Sequence, residues 1–281
     1  MSNNHNFSPL YSPPFFLHYL HYLYLKILML NIAINTFREI VRNKFLYLII
    51  FFAFCFIGFS LALGWLTIGD DEKVIVDFGL AMIEIFGLIG VLFVGSQLLF
   101  KEVEGKTIFL ILSKPIYRYE FVLGKFFGFS FTIGLIVLLQ SLLFIWVLLL
   151  KGIDITYLIS FSLLFTFFKL EILLALVLFF SSFMSNMLTI LVALGVYVLG
   201  HGFSLLLDMF GRFEGTIMLG WAEALQLIIP PMEALNIKDV IGSFQDFHIN
   251  YFLFNSFYAL AYLAIILFFT VLIFNKKSFQ N

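Results

Sequence analysis

This sequence has few charged residues. Only 12% of its 281 residues are charged, whereas 62% are hydrophobic and the mean hydropathy is +1.07. An ordinary soluble domain carries about 25% charged residues, so this composition cannot form a soluble surface. The chain is therefore predicted to be an integral membrane protein. Its net charge of −1 favours no particular partner, and nucleic acid is not expected to be one.

Cysteine and clustered metal ligands are almost absent. Cys55 is the single cysteine and lies in an apolar run, which excludes a disulfide framework and a thiolate metal cluster. Three histidines near the start, at positions 5, 18 and 21, have no acidic or cysteine partners nearby, so no metal site is predicted. His201 is assigned to packing or to a local hydrogen bond.

Catalytic and nucleotide-binding motifs are also missing. The sequence contains no HExxH and no GxSxG, so no catalytic residue is assigned and the chain is not expected to be an enzyme. Gly105-Lys106-Thr107 resembles the end of a phosphate-binding loop, but position 100, where the first glycine belongs, is Phe100. A phosphate-binding loop follows a β-strand, whereas Gly105-Lys106-Thr107 follows a long apolar segment. We therefore predict that this chain binds no ATP and no other cofactor.

Long apolar runs make up most of the chain. A bilayer core needs about 20 apolar residues per helix, and backbone groups without water must be satisfied within a helix or a closed barrel. The runs are apolar on all sides and lack the alternation of a barrel strand. The predicted fold is an all-α integral membrane protein with six transmembrane helices. The predicted spans are about 45–68, 78–100, 122–150, 155–180, 187–207 and 251–274.

The distribution of lysine and arginine predicts the orientation, since cytoplasmic loops are enriched in these residues. With the N-terminus inside, eleven of the sixteen lie in inside segments and four in outside segments, while Lys169 lies within a span. Both termini are therefore predicted to be cytoplasmic, in a multi-pass protein of the cell (inner or plasma) membrane.

The stretch Lys101–Lys125 interrupts the apolar sequence between the second and third spans. It contains five cations and three acids and is punctuated by Gly105 and Pro115. Such a segment must lie in water, and it is predicted to be the main cytoplasmic loop. We expect it to receive force from another protein.

Three further segments flank the spans. Residues 1–28 are predicted to be a disordered or non-native extension, with Met29 as the native initiator. Asn31–Lys44 alternates apolar and polar residues at helical spacing, which is typical of a helix lying flat on membrane lipid. The outside segment 208–250 is predicted to form short helices, Met218–Ile229 and Glu233–Ile241, that enter the outer leaflet part-way and cap the bundle. The alternative is a loop on the outer surface.

Three ionisable residues lie within the predicted spans: Glu84, Lys169 and Glu171. Intramembrane charges mark a functional site or a buried pair by default. Glu84 is predicted to lie about 9 Å from the outer end of its span and Lys169 about 21 Å from the outer end of its own, at ~1.5 Å per residue. Lys169 and Glu171 are two residues apart and cannot pair on one helix. Lys169 is expected to snorkel or to pair across helices or across a dimer seam, and the alternative is a path for a charged substrate.

Four segments in this order resemble one family of transport proteins. They are INTFREIVRNKFLYLI, KEVEGKTIFLILSKPIYRYEFVLGKFFG, SSFMSNMLTILVALGVYVLGH and IIPPMEALNIKD. Together they resemble the permease subunits of ABC-2 type transporters, in the branch labelled multicopper-enzyme-maturation permeases. The resemblance covers residues 29–277. One departure is Pro230-Pro231, where family members often have Pro-Asn.

The resemblance implies a six-span permease that pairs with a second permease chain, as a homodimer or a heterodimer. It also implies docking on cytosolic ABC ATPase subunits, which would bind ATP and Mg and usually drive export. An elbow helix would fall on Asn31–Asn43, with Arg38, Glu39 and Arg42 on its polar face. A coupling helix would fall on Lys101–Leu112, and short outer helices on Met218–Ile241. The predicted coupling residues are Lys101, Glu102, Glu104, Gly105, Lys106, Thr107, Pro115 and Arg118.

Two other functions stay open at this point. A stand-alone secondary transporter or channel would be expected to contain inverted repeats, and none is visible. A membrane-embedded enzyme or assembly factor is the remaining alternative. The sequence does not identify a substrate, because an apolar bundle is common to all these classes.

Overall fold

A computed structural model of the protein describes residues 29–66, 71–105, 117–211, 229–230, 232–238, 241 and 249–276. These residues are almost entirely helical, and no β-strand occurs among them. The predicted extension 1–28 lies outside the described residues. So does the predicted outer helix Met218–Ile229, apart from its last residue.

Eight helices account for most of the described chain. They are α1 (29–41), α2 (Lys44–Leu66), α3 (Asp71–Gly90), α4 (Gln97–Glu104), α5 (Arg118–Lys151), α6 (Tyr157–Ser181), α7 (Asn186–Gly211) and α8 (Ile249–Lys276). A π-helical segment, Val91–Gly95, joins α3 to α4. With α3 and α4 counted as one continuous span, six helices in the described part of the chain are long and apolar enough to cross a membrane. The predicted all-α, six-span class is therefore confirmed.

Several helices extend beyond the predicted spans. α3 begins at Asp71 and not at position 78, α5 begins at Arg118 and not at 122, and α7 continues to Gly211. An apolar run marks only the part of a helix that suits hydrocarbon, whereas the helix can continue through charged residues in the headgroup layer. The 34 residues of α5 rise about 51 Å at 1.5 Å per residue, which exceeds the ~40–45 Å of a whole bilayer.

Helix α6 lies at the centre of the bundle. In an apolar stretch of 18 residues in α6, 72% of the residues are buried, whereas 28% are buried in the corresponding stretches of α2, α7 and α8. Helices that are apolar on all sides are expected in such a position. The Phe161 ring of α6 stacks on Phe252 of α8 with centroids 4.0 Å apart. Charged side chains on α6 are therefore enclosed by protein and kept away from lipid.

Small residues let the helices approach closely. A Cβ atom at Gly79 of α3 would lie 2.2 Å from the Phe144 ring of α5, and one at Gly87 would lie 2.4 Å from Leu170 of α6. Helix packing in lipid depends on such close contacts, because burial of apolar surface gives little driving force there. These glycines therefore fix the position of α3 against α5 and α6.

The segment before α8 packs onto the bundle where the structure describes it. Met232, Leu235 and Ile237 are buried, and a Cβ atom at Gly200 of α7 would lie 2.5 Å from the Pro230 carbonyl oxygen. Among the described residues the helix predicted for Glu233–Ile241 is not continuous: a 3₁₀ turn covers Met232–Leu235, Asn236 and Ile237 are not helical, and Lys238 is again in 3₁₀ conformation. Partial entry of this segment into the outer leaflet stays a prediction.

Candidate functional site

Two polar clusters stand out in this apolar bundle. The first lies at what we call the charged end, where α1, the last turn of α4, the first turn of α5 and the last turn of α8 meet. The second surrounds Glu84, between α3, α6, α7 and the segment before α8. Each cluster contains residues that the sequence singled out, together with residues that it did not.

Lys125 is the centre of the first cluster. Its side chain is buried, although it lies near the start of α5, and its Nζ atom is 3.3 Å from Glu39 Oε2 and 2.5 Å from Glu102 Oε1. Glu39 belongs to α1 and Glu102 to α4. One buried ammonium group therefore connects three helices of the charged end.

A glycine pair lets α1 lie directly on α5. Gly124 and Gly128 are four residues apart, so they share one helix face. A Cβ atom at Gly124 would lie 2.8 Å from Ile32, and one at Gly128 would lie 2.4 Å from the Ala33 carbonyl oxygen. The close packing of α1 buries Lys125 next to Glu39. That α1 also lies flat on the membrane stays a prediction.

Arg118 binds the end of the last helix. Its guanidinium group donates hydrogen bonds to the carbonyl oxygens of Phe274, at 3.1 Å, and Asn275, at 3.0 Å. A cation at a helix C-terminus is favourable, because the last carbonyl groups lack helical partners and carry partial negative charge. Within α5 itself, Glu120 accepts a hydrogen bond of 3.0 Å from the Tyr117 amide. Arg118 therefore connects α5 with α8, a contact that the sequence did not indicate.

The predicted coupling residues thus separate into two groups. Glu102 and Arg118 bind other parts of the chain, whereas Lys101, Glu104 and Gly105 are exposed. Lys106, Thr107 and Pro115 lie outside the described residues, as does the rest of the predicted coupling helix after Gly105. Arg38 and Arg42 are exposed on α1, and Glu39 is half exposed although it binds Lys125. The exposed charges at this end are the ones open to another protein.

Glu84 is the centre of the second cluster. Its Oε1 atom lies 2.5 Å from Lys169 Nζ on α6 and accepts a hydrogen bond from the Tyr197 hydroxyl on α7. Its Oε2 atom binds Lys238 Nζ, from the segment before α8. Lys169 is 1% exposed and Glu84 8% exposed. The carboxylate therefore has partners from three other elements and is enclosed by them.

His201 completes this cluster. It follows Tyr197 by one helical turn, and its Nε2 atom is 3.3 Å from Glu84 Oε1. Its Nδ1 atom is 3.1 Å from the Tyr197 carbonyl oxygen. The local hydrogen bond that the sequence predicted is present, but the contact with Glu84 was not foreseen.

The two intramembrane charges lie at similar distances along their helices. Glu84 is 13 residues from the start of α3 and Lys169 is 12 residues from the start of α6, so both lie about 18–20 Å along their helices. The start of α3 is not the edge of the hydrocarbon, since its first residues from Asp71 onward are charged, and the depths of both side chains in the membrane stay predictions. Of the expected roles for Lys169, pairing across helices is the one observed.

Glu171 belongs to neither cluster. It is buried on α6, its Oε1 atom has no hydrogen-bond partner among the described residues, and its polar neighbour is Ser130 of α5. It points to a different side of α6 from Lys169, as their spacing requires. Among the described residues, no three His, Cys, Asp or Glu side chains are grouped closely enough to hold a metal ion.

Both clusters thus join several helices through buried ion pairs. The family model described as "ABC-2 family transporter protein" matches residues 30–279. No curated protein matches the chain. The family match does not test the multicopper-enzyme-maturation branch, which stays a prediction.

Proposed function

Since the chain belongs to the ABC-2 transporter family, a family of membrane transport components, we propose that it is the permease subunit of an ABC transporter, driven by separate ATPase subunits. The observation that supports this most strongly is the pair of contacts made by Lys125. They join α1, α4 and α5 at the end where the exposed charges of Lys101 and Glu104 lie. A push on those charges would move three helices together.

The partner would dock on the charged end. A helix held in a groove of another protein needs exposed side chains that the partner can contact, and Lys101 and Glu104 meet this requirement. ATP and Mg would be bound by the cytosolic ATPase, because the GKT sequence at 105–107 lacks the first glycine of a phosphate-binding loop. The charged end would therefore be cytoplasmic, in a protein of the cell membrane with both termini inside.

The π segment Val91–Gly95 provides a place for α4 to move relative to α3. Its wider turn interrupts the regular hydrogen-bond pattern, and such segments often occur at functional sites. It lies between Lys101 at the charged end and Glu84 within the bundle. If the ATPase displaced α4, the π segment would transmit this movement to α3 and so to the Glu84 cluster. Separation of the cluster's partners would open the bundle toward the outside, which is the direction required for export.

A second permease chain would complete the transporter, and the substrate path would lie between the two chains. The contact pairs described above act within one chain, so this mechanism applies to a homodimer and to a heterodimer. A stand-alone secondary transporter is less favoured, because the ionisable groups described inside the bundle are already paired around Glu84, apart from Glu171. A proton relay of that kind uses chains of Asp, Glu and His, whereas the ion-pair partners of Glu84 include two lysines, Lys169 and Lys238.

The experiment that tests this function is ATP-driven transport by the reconstituted complex with charge reversals at the charged end. Lys101→Glu and Glu104→Lys should abolish coupling while the protein still inserts in the membrane, because both side chains are exposed. Lys73→Glu is the matched control, since Lys73 is an exposed cation on α3 at the other end of the bundle. Unchanged ATP-driven transport in both reversal variants would contradict the proposal, as would a failure of the chain to co-purify with any ATPase.

A further inference from the structure

A pocket of about 400 Å³ lies beside α1 at the charged end. It is bounded by the end of α1, the start of α2 and the π segment with α4. Its polar wall includes Arg42, Asn43, Gln97 and Lys101, and its apolar wall includes Phe45 and Phe93. Glu39 of the first polar cluster also lines it. We propose that it binds the headgroup and upper acyl chain of an anionic glycerophospholipid.

The charges of the pocket favour an anion. Arg42 and Lys101 both line it and both are exposed. One carboxylate, that of Glu39, also lines it, but this group is 3.3 Å from the buried ammonium of Lys125. Asn43 accepts a hydrogen bond from the Phe45 amide through Oδ1, which leaves its Nδ2 group available as a donor. A phosphate group could therefore bind two cations and an amide here.

The shape of the pocket indicates an amphipathic ligand. Eight residues separate Phe93 from Lys101 along the continuous helix, which corresponds to a rise of about 12 Å. Lys101 thus lies nearer the charged end than Phe93, whereas Phe45 follows Arg42 by only three positions. Phe45 and Phe93 are 38% and 43% exposed, and their rings are 5.6 Å apart. The apolar end of the pocket therefore opens sideways toward the bilayer, where an acyl chain would enter.

Location favours a lipid over a soluble partner. Arg42 and Lys44 mark the point where α1 ends and the first span begins, so the polar wall lies at the level of the headgroups. Basic pockets between helices at the cytoplasmic surface bind anionic headgroups, and each nearby cation contributes measurably. A bound lipid would contact α1, α2 and α4 together and would hold α1 against the π segment.

Native mass spectrometry of the purified full-length chain, without an ATPase, tests the site. Phosphatidylglycerol should bind more tightly than phosphatidylcholine. Arg42→Gln and Lys101→Gln should each weaken phosphatidylglycerol binding roughly five-fold, and both together about twenty-five-fold. Lys44→Gln is the matched control, because it removes an exposed cation at the same end but outside the pocket. Phe93→Ala should weaken both lipids.

Four outcomes would overturn the proposal. Equal binding of the two lipids, or equal losses in the pocket variants and in Lys44→Gln, would mean that the pocket recognises no headgroup. Displacement of the lipid by inorganic phosphate, with no effect of Phe93→Ala, would indicate a site for a small anion. Unchanged phosphatidylglycerol binding in the double variant would mean that these cations hold no lipid headgroup. Because the lipid measurement needs no ATPase, it can succeed even if the proposed transport function fails.

Discussion

Lys169 and Glu84 form an ion pair of 2.5 Å within the membrane-spanning bundle, between residues that are 85 positions apart in the chain. Neither side chain reaches the end of its helix, and α6 is enclosed by other helices. The pair therefore replaces the water that both charges would otherwise need. It also fixes α3 and α6 at one relative height.

Glu84→Gln should destabilise the protein more than Lys169→Met. The first change leaves Lys169 and Lys238 without their shared carboxylate, whereas the second leaves Glu84 with Lys238 and Tyr197. Removal of one partner of a buried ion pair costs about 3–5 kcal/mol of stability. The loss of stability in Lys169→Met should be near the lower of these values. Thermal unfolding in detergent measures both changes, and Lys73→Met, at an exposed position on α3, should have little effect. Equal unfolding temperatures for all three variants would contradict the assignment.

Lys238→Gln should release the segment before α8 while the bundle stays folded. Lys238 reaches Glu84 Oε2 and is also 3.4 Å from the Leu80 carbonyl oxygen. Without the ammonium group, amides of residues 232–238 should exchange hydrogen faster, whereas those of α6 should not change. Hydrogen exchange with mass spectrometry measures this difference. Faster exchange throughout α6 would instead indicate global destabilisation.

Gly128→Ala should destabilise the protein, whereas Gly58→Ala should not. A Cβ atom at Gly128 would lie 2.4 Å from the Ala33 carbonyl oxygen, so α1 must shift, and such overpacking costs about 1–3 kcal/mol. A Cβ atom at Gly58 of α2 meets nothing within 4 Å. Alanine there should be neutral or should gain up to about 1 kcal/mol in helix propensity. Unfolding temperatures of the two variants provide the measurement, and a tolerated Gly128→Ala would show that α1 is held loosely.

Glu102→Gln and Glu104→Gln should have different effects although they are two residues apart. Glu102 is 2.5 Å from the buried Lys125, whereas Glu104 is exposed. Loss of the Glu102 charge should loosen α4 from α5. Cross-linking of single cysteines placed on α4 and α5 should become less efficient in that variant and stay unchanged in Glu104→Gln. Identical cross-linking in both variants would argue against Lys125 as the connecting residue.

The sequence predicted the class and number of spans because the bilayer imposes a strict length and apolarity on every crossing helix. It also located Glu84, Lys169 and the charged stretch, since charge is rare in this chain. It could not predict which charges meet. The partners of Glu84 come from three distant segments, and their meeting depends on glycine contacts such as Gly87 with Leu170.

Two local signals could have suggested more. Tyr197 and His201 are four residues apart in an apolar run, so they lie on one helix face and can share a polar partner. Gly124 and Gly128 show the same spacing and could have suggested a helix packed onto α5. Lys125, between these glycines, was instead attributed to the water-exposed loop. Its burial depends on α1, which lies nearly 90 positions earlier in the chain.

The π segment Val91–Gly95 has a consequence for how the second span tolerates insertions and deletions. A π turn accommodates one residue more than an α turn, and one residue corresponds to about 100° of rotation around a helix. Deletion of a single residue between 91 and 95 would restore a regular α-helix, and α4 would keep its direction relative to α3, because the π turn already accommodates the extra residue. A residue inserted elsewhere in α3 would instead rotate α4 by about 100° and turn Glu102 away from Lys125. The second span should therefore tolerate a one-residue deletion in the π segment better than a one-residue insertion in α3.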